Sequence, residues 1–591
     1  MKKIVFSYLL FLLLNPISAN STINAQQLSK KIRLNQIGYY PEAPKTAIID
    51  TNISGPFYIT TPDLQDTLYH GQLGAAHQVY YSPEVTHPAD FSSFKKRGTY
   101  VFDVPGVGYS YEFTIAPSVF HPLAKASLKA YYFMRASTPL PARYAGKWAR
   151  AEGHPDTTVY VHPSAASDKR PAGTIISTPK GWYDAGDYNK YIVNSGITMA
   201  TLFSAYEDFP AYFDSLRTNV PKVSNHIPDI LNQSLWELRW MFTMQAPDGG
   251  VYHKTTTAKF APFVMPDNTH AKRFVVQKST AATLDFAAVM AQAARIFSHY
   301  SKQLPELTDS CLTAAKQAWQ WAQKNPDNIY NQKKMNQKYD PDIVTGAYGD
   351  SHLRDEFIWA ASELYTTTTK AKYLKAVDLI PNDKMPLPSW SRVRLLGYYT
   401  LLHYRKTMGP AAKKFIPKLR KNLIRFVNKL VNGSQKNIFS TVMGKNKDDF
   451  FWGSNSKAGN QGIALIQAYL LTHQQKYLNA ALGNLDYLLG RNGTGYSFVT
   501  GYGSWSPMYP HHRPSASDGI RPPVPGLLVG GPNPDQQDGC GNYPTDIPDQ
   551  SYKDNTCDYA SNEIAINWNA PLVYLTNALE ALQYKAGYSD K

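Results

Sequence analysis

Three cysteines in 591 residues are too few for a disulfide framework, and Cys311, Cys540 and Cys557 offer no local spacing for a cysteine-built zinc site. Beyond the N-terminus no stretch approaches the roughly 18 uninterrupted apolar residues of a spanning helix. Lys2 and Lys3 precede an apolar run from Ile4 to Leu14, and Ile17-Ser18-Ala19 supplies a small-residue cleavage site. Residues 1–25 therefore read as a secretory signal peptide, its apolar run too short to cross a bilayer. No cysteine lies nearby, which argues against a lipid anchor. The expectation is a soluble protein without a membrane anchor, secreted or periplasmic. Export permits disulfides: Cys540 and Cys557 bracket a short loop and read equally well as bridged or free. Cys311 falls in an apolar helical stretch and reads as a buried thiol. No separate carbohydrate-binding module is recognisable.

Lys and Arg number 61 against 45 Asp and Glu, a formal charge of +16. The basic residues are dispersed, with short clusters such as Lys413-Lys414 and Lys418-Leu-Arg420-Lys421, so the reading is a solvated basic surface rather than a nucleic-acid site. What is plentiful is aromatic: 41 Tyr and 11 Trp supply flat faces with a polar edge, which suit sugar rings.

Residues 30–116 read as short β-branched or aromatic strands separated by Gly, Pro and Asn, which predicts a small β-sandwich. From residue 121 to 587 the apolar spacing changes to three and four. About twelve helical stretches follow, with no strands expected between them, as in six helical hairpins packed in a ring. Periodicity does not distinguish a closed ring from an open solenoid. Two long loops, 137–190 and 491–570, are rich in Gly, Pro, Tyr, His and Asp, and loops of that length are usually functional.

Both loops end in acidic constellations. The first is Gly181-Trp-Tyr-Asp184-Ala-Gly-Asp187-Tyr; the second runs Tyr552-Lys-Asp554, Tyr559, Asn562-Glu563-Ile-Ala565, Asn569-Ala570. Taken singly, Asp184 and Asp187 also read as turn residues capping amides, and Glu563 as a helix cap or surface charge. Taken together, carboxyls from distant segments are what glycosidic hydrolysis needs: one proton donor, and one group to activate water.

The second constellation resembles the active-site pattern of glycoside hydrolase family 9, an aromatic, Asp, aromatic, Glu, small, Asn, small series filled in order by Tyr552, Asp554, Tyr559, Glu563, Ala565, Asn569 and Ala570. The segment from Ser497 to Arg513 resembles that family's His-x-Arg signature, departing at Trp505, where a polar residue is usual. The Asp184/Asp187 segment resembles its aspartate pair, and Ile32-Arg-Leu-Asn-Gln-Ile-Gly-Tyr39 the start of the immunoglobulin-like domain found in one subgroup. The resemblance implies an N-terminal immunoglobulin-like β-sandwich followed by an all-α (α/α)6 barrel. It implies an inverting enzyme acting on β-1,4-glucan, with Glu563 as general acid, Asp187 as general base and Asp184 helping to hold the water. Asp554 and Tyr559 would support the acid, while His511 and Arg513 would bind sugar hydroxyls.

The remaining candidates carry two readings each. Arg513 alternatively forms a structural salt bridge, and His512 reads as structural. Trp182, Tyr183, Trp505 and Tyr509 are either loop packing or stacking platforms for sugar. Asp355-Glu356 resembles a calcium-binding acidic pair of some members, although Trp390-Ser391-Arg392 stands where a completing aspartate would be sought. The same pair suits a first helical turn. The subgroup's zinc is not expected, since His154 and His162 are present without a cysteine between residues 121 and 190. No cofactor is needed for the chemistry. The expected activity is that of a monomeric endoglucanase on a β-glucan polysaccharide or oligosaccharide. The rivals are an exo-acting β-glucosidase or glucosaminidase on short chains, and a non-catalytic carbohydrate-binding protein.

Overall fold

The computed structural model describes residues 27–590, so the signal peptide expected at residues 1–25 lies outside the described residues. Between Ile32 and Ile115 two sheets face one another. One has the strand order Ile32–Arg33, Thr46–Asp50, Ser82–Asp90, His77–Val79. The other runs Gly38–Tyr39, Phe113–Ile115, Gly98–Val104, Pro56–Thr60, Thr67–Gln72, with Gly108–Tyr109 paired to Gly98–Val104. Ile32, Ile49, Phe57, Phe91, Phe102 and Phe113 fill the space between them, the inward half of a period-two pattern. Gly38 is required by its neighbours: at φ +143° an added Cβ would stand 1.8 Å from the Thr114 carbonyl oxygen.

The rest of the chain is mainly helical, its long helices in two concentric layers. The inner helices are Ile192–Asp208, Thr280–Phe297, Arg354–Thr368, Arg394–His403, Ser454–Thr472 and Ile566–Leu582. Thr280–Phe297 is buried almost all round and Ala-rich, the composition of a helix with no solvent face. Outer helices are one-sided: Ile416–Val431 buries Leu419, Leu423 and Val427 and turns its Lys and Arg outward. The last inner helix packs on Ile192–Asp208, which closes the ring and settles the choice between barrel and solenoid.

Two expectations about elements change. The loops between helices are not strand-free: Val159–Val161, Ile175–Ile176, Lys190–Tyr191, Lys254–Thr257 and Arg273–Val275 form one five-stranded sheet. Strands of two to four residues are too short to show alternation in sequence. The helix expected over 370–380 is a single turn, Lys372–Lys375, and the chain from Ala376 to Pro381 is not helical, with Ile380 held out of helical geometry by the proline that follows it.

The sandwich is fastened to the barrel by hydrogen bonds rather than by a linker alone. Asn35 Nδ2 donates to Asp486 Oδ1 at 2.7 Å, Gln36 Nε2 to the Gly495 carbonyl at 2.7 Å, and Thr86 Oγ1 to the Ile438 carbonyl at 2.7 Å. Tyr40 donates to Glu580 Oε1 at 2.6 Å. The Asn35-Gln36 pair of the N-terminal motif is therefore a docking element.

Candidate active site

The segments preceding several inner helices converge on one cavity of about 730 Å³. Asp184 and Asp187 precede Ile192–Asp208, Tyr348 precedes Arg354–Thr368, Trp390 precedes Arg394–His403, and Glu563 precedes Ile566–Leu582. Helix N-termini carry partial positive charge, so this end of the barrel favours a gathering of acids.

The aspartate loop is held from below and beside. The Asp184 N–H donates to the Asn189 carbonyl at 3.0 Å, and the Asp184 carbonyl accepts the Ile566 N–H at 2.8 Å. The Asp184 carboxylate accepts Asn194 Nδ2 at 2.8 and 3.0 Å and the Tyr348 hydroxyl at 3.0 Å. Asp187 Oδ2 accepts from Asn189 Nδ2 and, at 3.3 Å, from the Tyr191 hydroxyl.

The second wall is tied to the first. Glu563 Oε1 accepts the Gly186 N–H at 3.2 Å, so the acid meets the loop that carries both aspartates. His511 bridges Glu563 in strand fashion, and Arg513 donates to the Gly186 carbonyl through Nη1 at 2.8 Å and its backbone N–H at 3.1 Å. Arg513 Nε also reaches the Ala261 carbonyl at 2.8 Å, with the guanidinium 5.1 Å from the Phe263 ring. His511 Nδ1 lies 2.7 Å from the Thr556 carbonyl, which only accepts. The proton therefore sits on Nδ1, leaving Nε2 as an acceptor. Burial lowers the His511 imidazole to about 4, so it is neutral.

Electrostatics separate the three acids. Burial, then the charges of Asp187 and Asp184, push Glu563 well above the ordinary carboxylate range. Burial and Asp187 do the same to Asp184, against the donors Asn194 and Tyr348. Asp187 is also raised by burial, but Arg513 and the hydrogen bonds from Asn189 and Tyr191 pull it back. After burial, the first influence on Glu563 and on Asp184 is a neighbouring carboxylate, whereas on Asp187 it is the Arg513 charge, and this difference separates a proton donor from a proton acceptor as general acid–base work requires.

Comparison with known proteins agrees with this geometry. The model of glycosyl hydrolase family 9 matches residues 120–576, and that of the cellulase N-terminal ig-like domain matches residues 27–109. The chain belongs to glycosyl hydrolase family 9. Among its family 9 relatives, the xyloglucan-specific endo-beta-1,4-glucanase BoGH9A of Bacteroides ovatus is 47% identical over 95% of both chains. Endoglucanase D of Acetivibrio thermocellus is 35% identical over 94% of this chain and 84% of its own length. A solved structure of Bacteroides ovatus GH9 superposes with a TM-score of 0.89 at 45% identity, covering 94% of this chain and 99% of that one. The protein is a glycoside hydrolase, built as an immunoglobulin-like sandwich followed by an (α/α)6 barrel.

Of the residues singled out in the family 9 motifs, Asp184, Asp187, His511, Arg513, Tyr559, Glu563 and Ala565 line the cavity. Asp554 does not. Its carboxylate accepts the N–H groups of Met508 and Tyr509 at 2.8 and 2.9 Å and Asn562 Nδ2 at 3.2 Å, bracing the loop beside Glu563. Trp182 and Tyr183 are fully buried beneath the cavity, Trp182 against Tyr131 and Tyr183 hydrogen-bonded to His154, so neither offers a face to sugar. Trp505 lies at the seam between domains, its ring 4.1 Å from that of Tyr496 and 3.5 Å from Lys30 Nζ, and its backbone N–H donates to Gln36 Oε1 at 2.8 Å. Its departure from the family pattern therefore leaves the groove untouched. Arg513 forms no salt bridge among the described residues; its partners are carbonyls.

Most of the remaining aromatic lining comes from segments that carry no motif, Phe260, Tyr348, Trp390, Phe451 and Trp452, joined by Trp568 from within the second motif. Phe260, Phe451 and Trp452 are 46%, 41% and 41% exposed, which fits contact surfaces rather than core. An exposed aromatic beside a Gly or Pro was the available signal, as in Phe450-Phe451-Trp452-Gly453.

Cys540 and Cys557 are bridged, which fastens the loop whose Thr556 carbonyl orients His511; Cys311 is free and buried. His154 and His162 have partners of their own, Tyr183 at 2.9 Å and the Pro341 carbonyl at 3.0 Å. Asp355 and Glu356 open their helix as expected, and Asp355 Oδ2 accepts the Val393 N–H at 2.8 Å. Both oxygens of buried Glu356, both of Asp285 and one of Asp350 have no hydrogen-bond partner. Burial, then the charges of neighbouring acids (Asp350 and Asp355 for Asp285; Asp355, Asp285 and Asp350 for Glu356), raises both well above the ordinary range. Unpartnered hard oxygens of this kind suit calcium. Among the described residues, however, no three His, Cys, Asp or Glu side chains converge as a ready-made metal cage. A bound ion would draw its other ligands from backbone carbonyls and water.

Proposed function

We propose that the protein is an endo-acting, inverting β-1,4-glucanase, with Glu563 as general acid and Asp187 as general base. The observation that carries this reading is the seating of Asp184, Asp187 and Glu563 in one cavity, joined through the Gly186 N–H. Glu563, kept protonated by burial and two acidic neighbours, is suited to protonate the leaving glycosidic oxygen. Asp187, the acid with the strongest support for charge, is suited to take the proton of an attacking water, with Asp184 orienting that water. The bond from the anomeric carbon to the leaving oxygen breaks as water oxygen attacks the opposite face. His511 and Arg513 bind hydroxyls, and Trp390, Trp452 and Phe260 offer platforms for sugars on either side.

Xyloglucan is the proposed substrate. Support comes from the Bacteroides ovatus relative, which is named for that specificity and matches 95% of this chain. Initial rates on xyloglucan, mixed-linkage glucan and carboxymethylcellulose test the choice, and a rate on xyloglucan below the other two rejects it. Endo-action predicts early collapse of viscosity relative to reducing ends released. Asp187→Asn and Glu563→Gln should lower kcat by roughly a thousandfold or more while retaining oligosaccharide binding. Undiminished turnover in either variant rejects its role.

We further propose that the protein acts as an exported monomer without a membrane anchor, and that a structural calcium sits beside Asp355 and Glu356. The first 25 residues support export, and no helix among the described residues is long and apolar enough to cross a membrane. The unpartnered carboxylate oxygens support the ion. Chelation with EGTA should lower the Tm without altering the acid–base residues; an unchanged Tm rejects the calcium. Sedimentation of the secreted form tests the monomer.

A further inference from the structure

Two contiguous depressions of about 520 and 530 Å³ lie along the first barrel helix, His121–Phe133, and share no lining residue with the catalytic cleft. Their composition is lopsided. His121, Lys125 and Lys129 recur at four-residue intervals and so stand on one face of the helix. At 1.5 Å per residue they make a basic stripe about 12 Å long, the scale of a short oligosaccharide. No Asp or Glu stands among the residues lining either depression. Lys222, in the second one, is already paired with Asp229 at 2.7 Å. Like charges at this spacing repel, and after burial the charge of Lys125 is a cause of the lowered pKa of both His121 and Lys129.

The same depression is lined by three half-buried rings, Tyr144, Trp148 and Tyr502, with the Arg143 guanidinium 5.1 Å from the Tyr144 ring and Lys147 Nζ 4.7 Å from that of Trp148. Two of them have their polar atom already committed: Trp148 Nε1 donates to the Pro522 carbonyl at 3.0 Å, and the Tyr502 hydroxyl to the Pro122 carbonyl at 3.1 Å. The rings are thus fixed in place with their polar edge satisfied, and Trp148 also packs edge-on against Phe133. The rim formed by Pro525 is pressed onto the helix through Gly526, where at φ +82° a Cβ would come within 2.5 Å of the Ala126 carbonyl oxygen. This is a trough lined by fixed aromatic rings and by cations.

We propose that this trough is a second saccharide-binding site, and that it takes an oligosaccharide bearing carboxylates, a uronate-containing glycan. The apolar C–H face of a pyranose fits a fixed aromatic ring, while the acid groups pair with Lys125 and Lys129. An uncharged glucan would leave the stripe unpaired, and a simple anion would leave the rings unused. Such a site would hold the enzyme on acidic polysaccharide while the cleft works on a neutral glucan.

Trigalacturonate is the probe, since it contains no β-1,4-glucosidic bond for the cleft to cleave. Calorimetric titration of the full chain should show saturable binding that weakens with added salt. Lys125→Gln/Lys129→Gln, and separately Trp148→Ala, should each raise the Kd roughly tenfold or more. Their Tm and their rate on a short soluble β-glucan should stay at the wild-type level. Tyr144→Ala serves where Trp148→Ala lowers the Tm. Absence of binding, or an unchanged Kd in the lysine variant, overturns the proposal. So does loss of binding in the lysine variant with full retention in both aromatic variants, since that describes an anion patch and not a sugar site.

Discussion

The backbone N–H of Gly186 donates to Oε1 of Glu563 at 3.2 Å, so the acid on one wall is gauged against the loop that bears the two aspartates on the other. The same glycine's carbonyl accepts from Arg513 twice. One peptide segment therefore sets the spacing between acid and base, on which room for a water depends.

Gly186→Ala tests that gauge. A Cβ there would stand 2.1 Å from the His511 carbonyl oxygen, a backbone atom that cannot swing aside. The walls must part, and kcat/KM should fall at least roughly a hundredfold, about 2.7 kcal/mol of transition-state stabilisation. Steady-state kinetics beside a thermal melt measure it; a variant within threefold of wild type would show that the contact is incidental.

Tyr348→Phe removes one donor from Asp184 while leaving the ring in place. Its hydrogen bond favours the charged carboxylate, so its loss should raise the Asp184 pKa further. Asp184 orients the attacking water as a carboxylate, so activity is lost as pH falls through its pKa, and the acidic limb of the kcat/KM profile should move to higher pH. The basic limb, set by the protonated Glu563, should move less.

Glu580→Gln tests the seam between domains. Burial pushes the Glu580 carboxyl up to about 7, while the Tyr40 hydroxyl and the Phe120 N–H donate to it. The unfolded chain releases that proton near 4.3. The folded state therefore holds a proton that the unfolded state has lost, and Glu580's contribution is complete below about 4 and disappears as pH rises towards 7. Glutamine has no proton to lose. Relative to wild type, the variant should gain about 2–3 kcal/mol between pH 5 and 8, read from urea unfolding at each pH.

The barrel was legible because its helices are long and periodic: eleven of the twelve expected stretches are helices of ten or more residues among those described. Ser82–Asp90 was not, although it sits inside its sheet, because Pro83, His87 and Pro88 break the composition of a strand. Asp184, Asp187 and Glu563 were legible because their motifs are local. Tyr348, Trp390 and Trp452 reach the same cavity from separate connections, and nothing short-range in sequence links them to the acids. Trp182 and Trp505 misled for the complementary reason. An aromatic next to a catalytic motif can serve the floor or the domain seam, and only burial distinguishes these.

The most direct test follows the stereochemistry of the first product. With Glu563 donating a proton on one face and Asp187 directing water to the other, a β-linked xyloglucan oligosaccharide should yield the α-anomer first, seen by proton NMR before mutarotation. An initial β-anomer would mean a carboxylate attacking the sugar itself, and would contradict the assignment of Asp187 as the base.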